Sequence, residues 1–220
     1  MEIQVMKNIL GENDEIAEAN KRLFDEKKVF VLNLMGSPGA GKTSLLEKTM
    51  EKLKDKLKLA VIEGDLFTDK DAARIERQGV EVIQINTVGG CHLDAAMIEK
   101  VIQKLDLERL DLIIVENVGN LVCPAEFRVG EDERAVVLSI TEGDDKPLKY
   151  PLIFKESAVT ILNKVDLIDF CNFNLENAKS DITALNPAAK IIDTSCTKDT
   201  GIDLWCDWIC QKVKEKAGRI

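Results

Sequence analysis

One eight-residue motif constrains the fold of this chain more than any other sequence feature: Gly36-Ser37-Pro38-Gly39-Ala40-Gly41-Lys42-Thr43. It lies between an apolar run at 29–35 and a segment with helical period at 43–57. Glycines let successive backbone amides point at a phosphate, and the following helix directs the positive end of its dipole at the same anion. The motif therefore predicts a phosphate-binding loop, in which Lys42 reaches the β- and γ-phosphates and the Thr43 hydroxyl binds Mg²⁺. We include the next residue, Ser44, among the predicted nucleotide-binding positions.

Strand-like and helix-like segments alternate along the chain. Apolar runs typical of buried strands occupy residues 29–35, 59–62, 80–85, 112–115, 135–140, 158–162 and 190–193. Helical period occurs at residues 13–28, 43–57, 70–78, 93–105, 175–185 and 202–216. This alternation predicts a mostly parallel sheet with helices on both faces, the three-layer α/β fold of P-loop NTPases. Ligands of such sheets bind at the carboxyl ends of the strands, where the motifs described below all fall.

The first helical segment is expected to form an N-terminal helical extension at 1–28, followed by a P-loop domain at 29–220. Asn13 or Asp14 is a suitable N-terminal cap for this helix. Its apolar positions Ile16, Ala19 and Leu23 share one face, which we expect to be the buried face.

Charge and composition exclude several classes of protein. The chain has 30 Lys and Arg against 39 Asp and Glu, a net charge of −9, which argues against nucleic-acid binding. No segment approaches the roughly 18 consecutive apolar residues of a membrane helix. The N-terminus shows no basic region followed by an apolar core, so we expect a cytoplasmic protein without a secretory signal. Its six cysteines are then reduced thiols, either structural or metal-binding.

The segment Asn163-Lys164-Val165-Asp166 indicates guanine as the base. A carboxylate at Asp166 accepts hydrogen bonds from N1–H and the 2-amino group of guanine, whereas adenine offers an acceptor at N1 and no 2-amino group. Asn163 is placed to bond N7 or to hold neighbouring loops, and the stem of Lys164 to cover the base. Ser195, Cys196 and Thr197 follow the last predicted strand and resemble the small-residue loop whose amide meets guanine O6 in GTPases.

Hydrolysis is expected to depend on the segment Glu116-Asn117-Val118-Gly119, which resembles the D-x-x-G of GTPases with Glu in the place of Asp. Glu116 is suited to holding Mg²⁺ or orienting the attacking water, and the Gly119 amide to sensing the γ-phosphate. Asp65 is the other candidate for Mg²⁺ or water, so the predicted catalytic residues are Lys42, Asp65 and Glu116. The residue after Gly119 is Asn120 rather than a water-orienting Gln, which predicts slow intrinsic hydrolysis.

A second site is predicted from cysteine and histidine. Cys91-His92 follows the predicted strand at 80–85, and Cys123 comes shortly after the hydrolysis segment. Two thiolates and an imidazole suit Ni²⁺ or Zn²⁺ rather than Mg²⁺ or Ca²⁺. Three ligands leave the site incomplete, so water or a second chain would supply the rest. The alternative is a helix-start histidine beside two buried thiols.

Other polar and thiol residues are predicted to be structural. Asp69 and Asp71 are interpreted as caps of the next helix. Cys206 and Cys210 share a helix face whose apolar spacing indicates core packing rather than a metal clip. Cys171 and Cys196 are interpreted as small apolar residues. The acidic run at 130–133 is interpreted as a solvated loop.

Together these motifs resemble the HypB family of hydrogenase-maturation GTPases over nearly the whole chain. The segments that carry the resemblance are 33–43, Cys91-His92-Leu93, 116–124, 141–147 and Asn163-Lys164-Val165-Asp166. The resemblance implies a SIMIBI-type P-loop fold that dimerises face to face around GTP. It also implies that Cys91, His92 and Cys123 bind Ni²⁺ or Zn²⁺ near the dimer interface.

The same resemblance implies the partners. These are a HypA-type zinc- and nickel-binding maturation protein and, as target, the large subunit of [NiFe]-hydrogenase. Lys146 or Lys149 would touch nucleotide across the dimer. The N-terminal cysteine-rich or His-rich stretch that some members carry has no counterpart in this sequence, so nickel storage is not expected.

Three other functions are compatible with parts of the pattern. Urease-accessory GTPases resemble this chain but place Cys-Pro-His together, whereas here the only His, His92, precedes Cys123-Pro124. A small P-loop kinase would use the same phosphate loop, but the guanine motif argues against it. A non-enzymatic metal store would use nucleotide only for regulation.

Overall fold

A single sheet of parallel strands organises the described residues, 9–65 and 70–218 of the computed structural model. Its seven strands are β1 (Phe30–Gly36), β2 (Leu59–Asp65), β3 (Glu81–Asn86), β4 (Leu112–Glu116), β5 (Glu133–Ser139), β6 (Val159–Asn163) and β7 (Lys190–Thr194). Their order across the sheet is β3-β2-β4-β1-β5-β6-β7. Every residue of β1 and β4 is buried, as expected of apolar strands covered on both faces.

Helices cover both faces of the sheet. They are α1 (Ile9–Lys27), α2 (Lys42–Leu53), α3 (Lys70–Glu76), α4 (Ala95–Ile102), α5 (Cys123–Glu126), α6 (Lys146–Lys149), α7 (Pro151–Lys155), α8 (Leu175–Leu185) and α9 (Ile202–Ala217). The predicted parallel three-layer architecture is confirmed. Three helices are shorter than predicted: α2 ends at Leu53, α3 ends at Glu76, and α4 begins at Ala95 because the Asp94 side chain caps it by accepting from the Met97 amide at 2.8 Å.

Three apolar clusters fill the space between the sheet and its helices. The first packs α2 and α9 on the sheet and contains Trp205, whose indole N–H donates to Thr49 Oγ1 at 2.9 Å. Cys206 lies in the same cluster and Cys210 packs against it, as the helical spacing predicts. No helix in the described part of the chain combines the length and apolarity needed to cross a membrane.

The buried face of α1 differs from the prediction. Its buried side chains are those of Asn13, Ala17, Asn20 and Phe24, whereas Ile16 and Leu23 are half-buried and Ala19 is exposed. Asn13 lies inside the helix and does not cap it, since α1 begins at Ile9. The prediction was wrong because it looked for the buried face only among apolar residues. Asn13 and Asn20 can be buried here because their side chains hydrogen-bond to backbone groups of the domain. Residues 1–8 of the predicted extension lie outside the described residues.

The acidic run at 130–133 is not a solvated loop. Glu131 is 3% exposed because it pairs with the buried Arg134 guanidinium and accepts from the Val129 amide at 2.7 Å. Asp132 joins Lys21 of α1 at 2.9 Å and Lys216 of α9 at 2.6 Å. These ion pairs lie at the amino ends of the strands, beside the start of β5.

Candidate functional site

The carboxyl edge of the sheet carries a cavity of about 420 Å³. The phosphate loop after β1, the ends of β2 and β4, and Lys164 after β6 all line it. This edge is where the predicted nucleotide residues were expected to meet.

The phosphate loop closes around its own lysine. Lys42 is 7% exposed, and its Nζ lies 3.5 Å from the Gly36 carbonyl oxygen and 3.4 Å from that of Ser37. Burial lowers the pKa of Lys42, while the negative charge of Glu116 opposes that shift. The ammonium group is therefore held at the loop, where a phosphate would offset its desolvation.

Gly41 is a loop residue that has no room for a side chain. Its φ is +96°, and a Cβ would overlap the amide nitrogen of Asn163. That amide donates to the Ala40 carbonyl at 2.9 Å, and Lys164 Nζ donates to the Gly39 carbonyl at 2.6 Å. The predicted base-recognition segment thus holds the phosphate loop directly.

Two buried carboxyl groups face the same cavity. Glu116 Oε1 accepts from the Thr43 hydroxyl at 2.9 Å, while Glu116 Oε2 and Glu63 Oε2 are buried without a hydrogen-bond partner. Burial raises the pKa of Glu116 to about 7, and burial together with the charge of Glu116 raises the pKa of Glu63 to about 8. Glu63 was not among the predicted site residues. The signal that could have found it is a charged residue inside the apolar strand β2.

An acidic group extends from Glu63 toward helix α3. Carboxylate oxygens of Glu63, Asp65 and Asp71 lie within 4.8 Å of one another, an arrangement that could hold a cation. The interpretation of Asp71 as a helix cap was wrong, because it lies within the first turn of α3 and its side chain lines the cavity. Asp71 also accepts from Arg74 at 3.0 Å, and Arg74 donates to the Ser44 hydroxyl at 3.2 Å. The other predicted cap, Asp69, lies outside the described residues.

The segment after β4 packs against the phosphate loop. A Cβ on Gly119 would lie 2.8 Å from the Pro38 nitrogen, so only glycine allows this approach. The Asn120 amide donates to the Gly36 carbonyl at 3.0 Å. Gly119 is therefore close to the loop that would bind the terminal phosphates.

The predicted base-recognition residues meet at the ends of β6 and β7. Thr197 Oγ1 donates to Asp166 Oδ2 at 3.0 Å, and hydrogen bonding to Ser195 and Thr197 lowers the pKa of Asp166. Thr194 Oγ1 donates to Asn163 Oδ1 at 3.0 Å. Burial raises the pKa of Cys196 to about 11, in keeping with an unreactive thiol.

The three predicted metal ligands come together on the same edge. Ligand atoms of Cys91, His92 and Cys123 lie within 4.8 Å of one another, and the two sulfur atoms are 2.9 Å apart. The thiol of Cys91 raises the pKa of Cys123, and burial lowers the pKa of His92. The His92 ring stacks on Phe127 with 3.9 Å between centroids. The arrangement offers two sulfurs and one nitrogen, the donor set of a soft or borderline metal.

Two asparagines join the metal ligands to the nucleotide cavity. Asn117 Oδ1 accepts from the Leu93 amide, next to His92, at 3.0 Å. Asn120 Nδ2 donates to the Cys91 carbonyl at 3.4 Å, and its Oδ1 accepts from the Val122 amide at 2.8 Å. Sequence reasoning gave these side chains no such role, because the Leu93 and Cys91 backbone groups that they bond are distant in sequence.

Comparison with known proteins gives consistent matches. Residues 30–193 match the family model described as CobW/HypB/UreG, nucleotide-binding domain. The chain is 47% identical over 207 residues to Hydrogenase maturation factor HypB of Escherichia coli strain K12, covering 94% of this chain and 71% of the relative.

Solved structures support the same relationship. HypB from Helicobacter pylori in complex with nickel superimposes with a TM-score of 0.88 at 38% identity, covering 93% of this chain and 96% of that one. HypB from Archaeoglobus fulgidus gives 0.87 at 37% identity, with 92% and 99% coverage. The signal recognition particle receptor FtsY from Elizabethkingia anophelis gives 0.56 at 16% identity, covering 91% of this chain and 73% of that one, which is a likeness of fold alone.

The buried carboxyls predict how stability depends on pH without nucleotide or metal. Glu63 holds its proton up to a pKa of about 8 in the folded chain, against 4.5 as its ordinary value, so the folded state binds more protons between these values. The free energy of unfolding should therefore fall as the pH rises through this window. Urea unfolding of Glu63→Gln, which cannot ionise, should show a flatter pH dependence than the native chain. An equally steep dependence in both proteins would contradict the assignment.

Proposed function

Because this chain belongs to the HypB family of CobW/HypB/UreG nucleotide-binding proteins, we propose that it is a GTP-binding, GTP-hydrolysing metallochaperone that inserts nickel into the [NiFe]-hydrogenase large subunit. The observation that carries this proposal is the short connection between two sites. The segment 116–123 begins at a carboxylate in the phosphate cavity and ends at a thiol of the metal cluster. A protein that only stored metal, or only hydrolysed nucleotide, would have no need of that connection.

GTP is the proposed nucleotide. Asp166 carries the carboxylate that pairs with N1–H and the 2-amino group of guanine, and its lowered pKa keeps it ionised near neutral pH. Ser195, Cys196 and Thr197 form the adjoining loop, with a backbone amide available to guanine O6. Adenine in this position would place its N1, an acceptor, against the carboxylate and would offer no 2-amino group. The polar atoms would stay unpaired, which lowers the affinity for ATP.

The chain's own groups bind and orient the phosphates. Lys42 Nζ would exchange its contacts with Gly36 and Ser37 for the β- and γ-phosphate oxygens. The Thr43 hydroxyl and Glu116 fit Mg²⁺, since Glu116 Oε2 is a buried oxygen without a partner and both residues offer oxygen donors. When bound, Mg²⁺ supplies positive charge that stabilises the leaving phosphates. Gly119, packed on the phosphate loop, would report the presence of the γ-phosphate through its amide.

Slow hydrolysis follows from the position of Asn120. This residue occupies the place of a water-orienting glutamine, yet its side chain is already hydrogen-bonded. Its Nδ2 donates to the Cys91 carbonyl, and its Oδ1 accepts from the Val122 backbone amide. Glu116 and Asp65 are then the candidates for orienting water, at the carboxyl ends of the paired strands β4 and β2. A slow intrinsic rate suits a timer that keeps the loaded state long enough for metal transfer.

Nickel is the proposed cargo at Cys91, His92 and Cys123, with Zn²⁺ as the competing metal. Three ligands are too few for a closed site, so a second chain or water would complete it. Dimerisation is supported by apolar side chains exposed beside Cys123: Val122 is 49% exposed and Leu152 is 41% exposed. GTP would favour the dimer, and the dimer would shape the metal site.

The remaining parts of the cycle come from the family. A HypA-type protein would exchange metal with this chain in the cytoplasm. Lys146 or Lys149 would reach the nucleotide of the second chain.

Guanine selectivity is tested at Asp166. Asp166→Asn removes the carboxylate, and we expect GTP affinity to fall about 100-fold while ATP affinity stays low. Asp169→Asn, an exposed neighbour outside the motif, is the matched control and should bind GTP normally. Fluorescent-nucleotide titration measures both. Unchanged GTP affinity in the first variant would refute guanine readout by this residue.

Nucleotide-driven dimerisation is tested by size-exclusion chromatography at micromolar protein. We expect earlier elution with a non-hydrolysable GTP analogue than with GDP, and a phosphate-release rate far below about one per second. Identical elution in both states would argue against dimerisation. A turnover of many per second in the isolated protein would argue against the timer.

Metal binding is tested by titrating Ni²⁺ into chelator-stripped protein with GTP analogue or GDP. Cys91→Ala should weaken binding by more than about 100-fold, since losing a ligand exceeds the usual effect of losing its support. Cys171→Ala, a thiol outside the cluster, is the matched control. If Cys91→Ala binds as the native chain does, the cysteines near the phosphate cavity are structural and the cargo is misassigned.

A further inference from the structure

Two asparagines of helix α1 are buried where apolar residues would normally pack. Asn13 is 7% exposed and Asn20 is 3% exposed. An amide buried without partners costs about 1–3 kcal/mol, so such side chains persist only where they are hydrogen-bonded. Here the four hydrogen bonds of these two side chains all go to backbone groups of the domain.

The partners belong to two segments of backbone. Asn13 Oδ1 accepts from the Ala95 amide at 2.9 Å, and Asn13 Nδ2 donates to the Arg128 carbonyl at 2.8 Å. Asn20 Nδ2 donates to the Ala95 carbonyl at 2.9 Å and to the Val129 carbonyl at 3.2 Å. Each asparagine therefore links residue 95 to the strip 128–129.

These segments are the ones that carry the proposed nickel ligands. Ala95 begins helix α4, directly after Cys91, His92 and the capping residue Asp94. The strip 128–129 continues from helix α5, which begins at Cys123, and from Phe127, whose ring stacks on His92. The asparagines thus fix the distance between the two pieces of chain whose sulfurs must meet at one metal ion.

The fit of α1 against the second segment is close. Gly130 has φ +99°, and a Cβ there would lie 2.7 Å from Asn20 Cβ and 2.9 Å from the Ala17 carbonyl oxygen. The glycine allows the backbone at 128–130 to lie directly against the helix, within reach of the Asn20 amide.

We infer that Asn13 and Asn20 are positioning residues of the nickel site, through which helix α1 sets the spacing of the Cys91–His92 and Cys123 segments. Metal–ligand distances tolerate shifts of about 0.2 Å, so a small separation of the two segments weakens binding. The inference rests on the proposed function, since it takes Cys91, His92 and Cys123 as the ligands. Both amides are neutral and touch no ligand atom, so their effect is one of geometry.

The test is Ni²⁺ titration of the full chain carrying Asn13→Leu or Asn20→Leu. Leucine keeps the branched heavy-atom skeleton, although it is bulkier, and removes the hydrogen bonds. We expect the Kd for Ni²⁺ to rise about tenfold, the lower end of the range for outer-shell support of metal ligands. The nickel–thiolate charge-transfer absorption should shift or weaken at saturating Ni²⁺, while affinity for a GTP analogue should not change.

Phe24→Leu is the matched control on the same helix. Phe24 is fully buried in the apolar cluster that also contains Val29 and Ile98, so its truncation lowers stability without removing the asparagine bonds. It should lower the melting temperature and leave nickel affinity and absorption unchanged. If Phe24→Leu weakens nickel binding as much as the asparagine variants do, positioning by the asparagines is wrong.

Asn13→Asp serves if the leucine variants fail to fold. Aspartate keeps an oxygen for the Ala95 amide and loses the donor to the Arg128 carbonyl, so only one of the two segments is released. We expect weaker nickel binding from this variant too, and native affinity in it would overturn the inference.

Cys91→Ala separates failure of the inference from failure of the proposed function. If that variant binds Ni²⁺ like the native chain, the site itself is misassigned and the inference falls with it. If Cys91→Ala loses nickel while the asparagine variants keep native affinity and absorption, the site stands and only the role of α1 is wrong.

Discussion

Parallel pairing of β4 between β1 and β2 is the constraint on which both sites depend. It places Glu116 beside Leu34 of β1 and Glu63 of β2, so the phosphate loop and the buried carboxyls meet at one edge. The chain that leaves β4 must then cross the start of the phosphate loop, where the Asn120 amide bonds the Gly36 carbonyl, before it reaches Cys123. A rearrangement of phosphates bound at this edge would have little room to occur without moving the backbone that carries Cys123, a proposed metal ligand.

Buried amides make this connection specific. Asn117 is 1% exposed; its Nδ2 donates to Asn33 of β1 at 3.2 Å, and its Oδ1 accepts from the Leu93 amide. One side chain therefore joins the strand before the phosphate loop to the residue after His92. Such a network resists partial rearrangement, because breaking one bond leaves a buried polar group unpaired. The backbone that follows Cys91 and His92 is thus bonded to Asn117 at Leu93 and to Asn13 of α1 at Ala95.

Much of the fold and of the candidate site could be predicted from the sequence, because the patterns that indicate them lie within short stretches of chain. Apolar runs indicate the strands, the glycines of the phosphate loop have few other uses, and the Asn163–Asp166 chemistry needs only four neighbouring residues. The failures share a different cause. Asn13 is buried by backbone partners far away in sequence, and Glu131 by an ion pair with Arg134. Hydrophobic period treats both residues as solvated, because it does not register a polar group whose partners are buried with it. Glu63 stands out in the sequence only as a charged residue in an apolar strand, and the pairing of β2 with β4 is what places it opposite Glu116.

The ion pairs at the amino ends of the strands hold the first and last helices, at the end of the sheet away from the nucleotide cavity. Lys216 of α9 and Lys21 of α1 both pair with Asp132, which also accepts from the Val31 amide at 2.8 Å. This cluster ties the first and last helices to the base of the sheet, a full strand length from the nucleotide and metal residues. The ion pairs that hold the two terminal helices and the residues proposed to bind ligands therefore lie at opposite ends of the same strands.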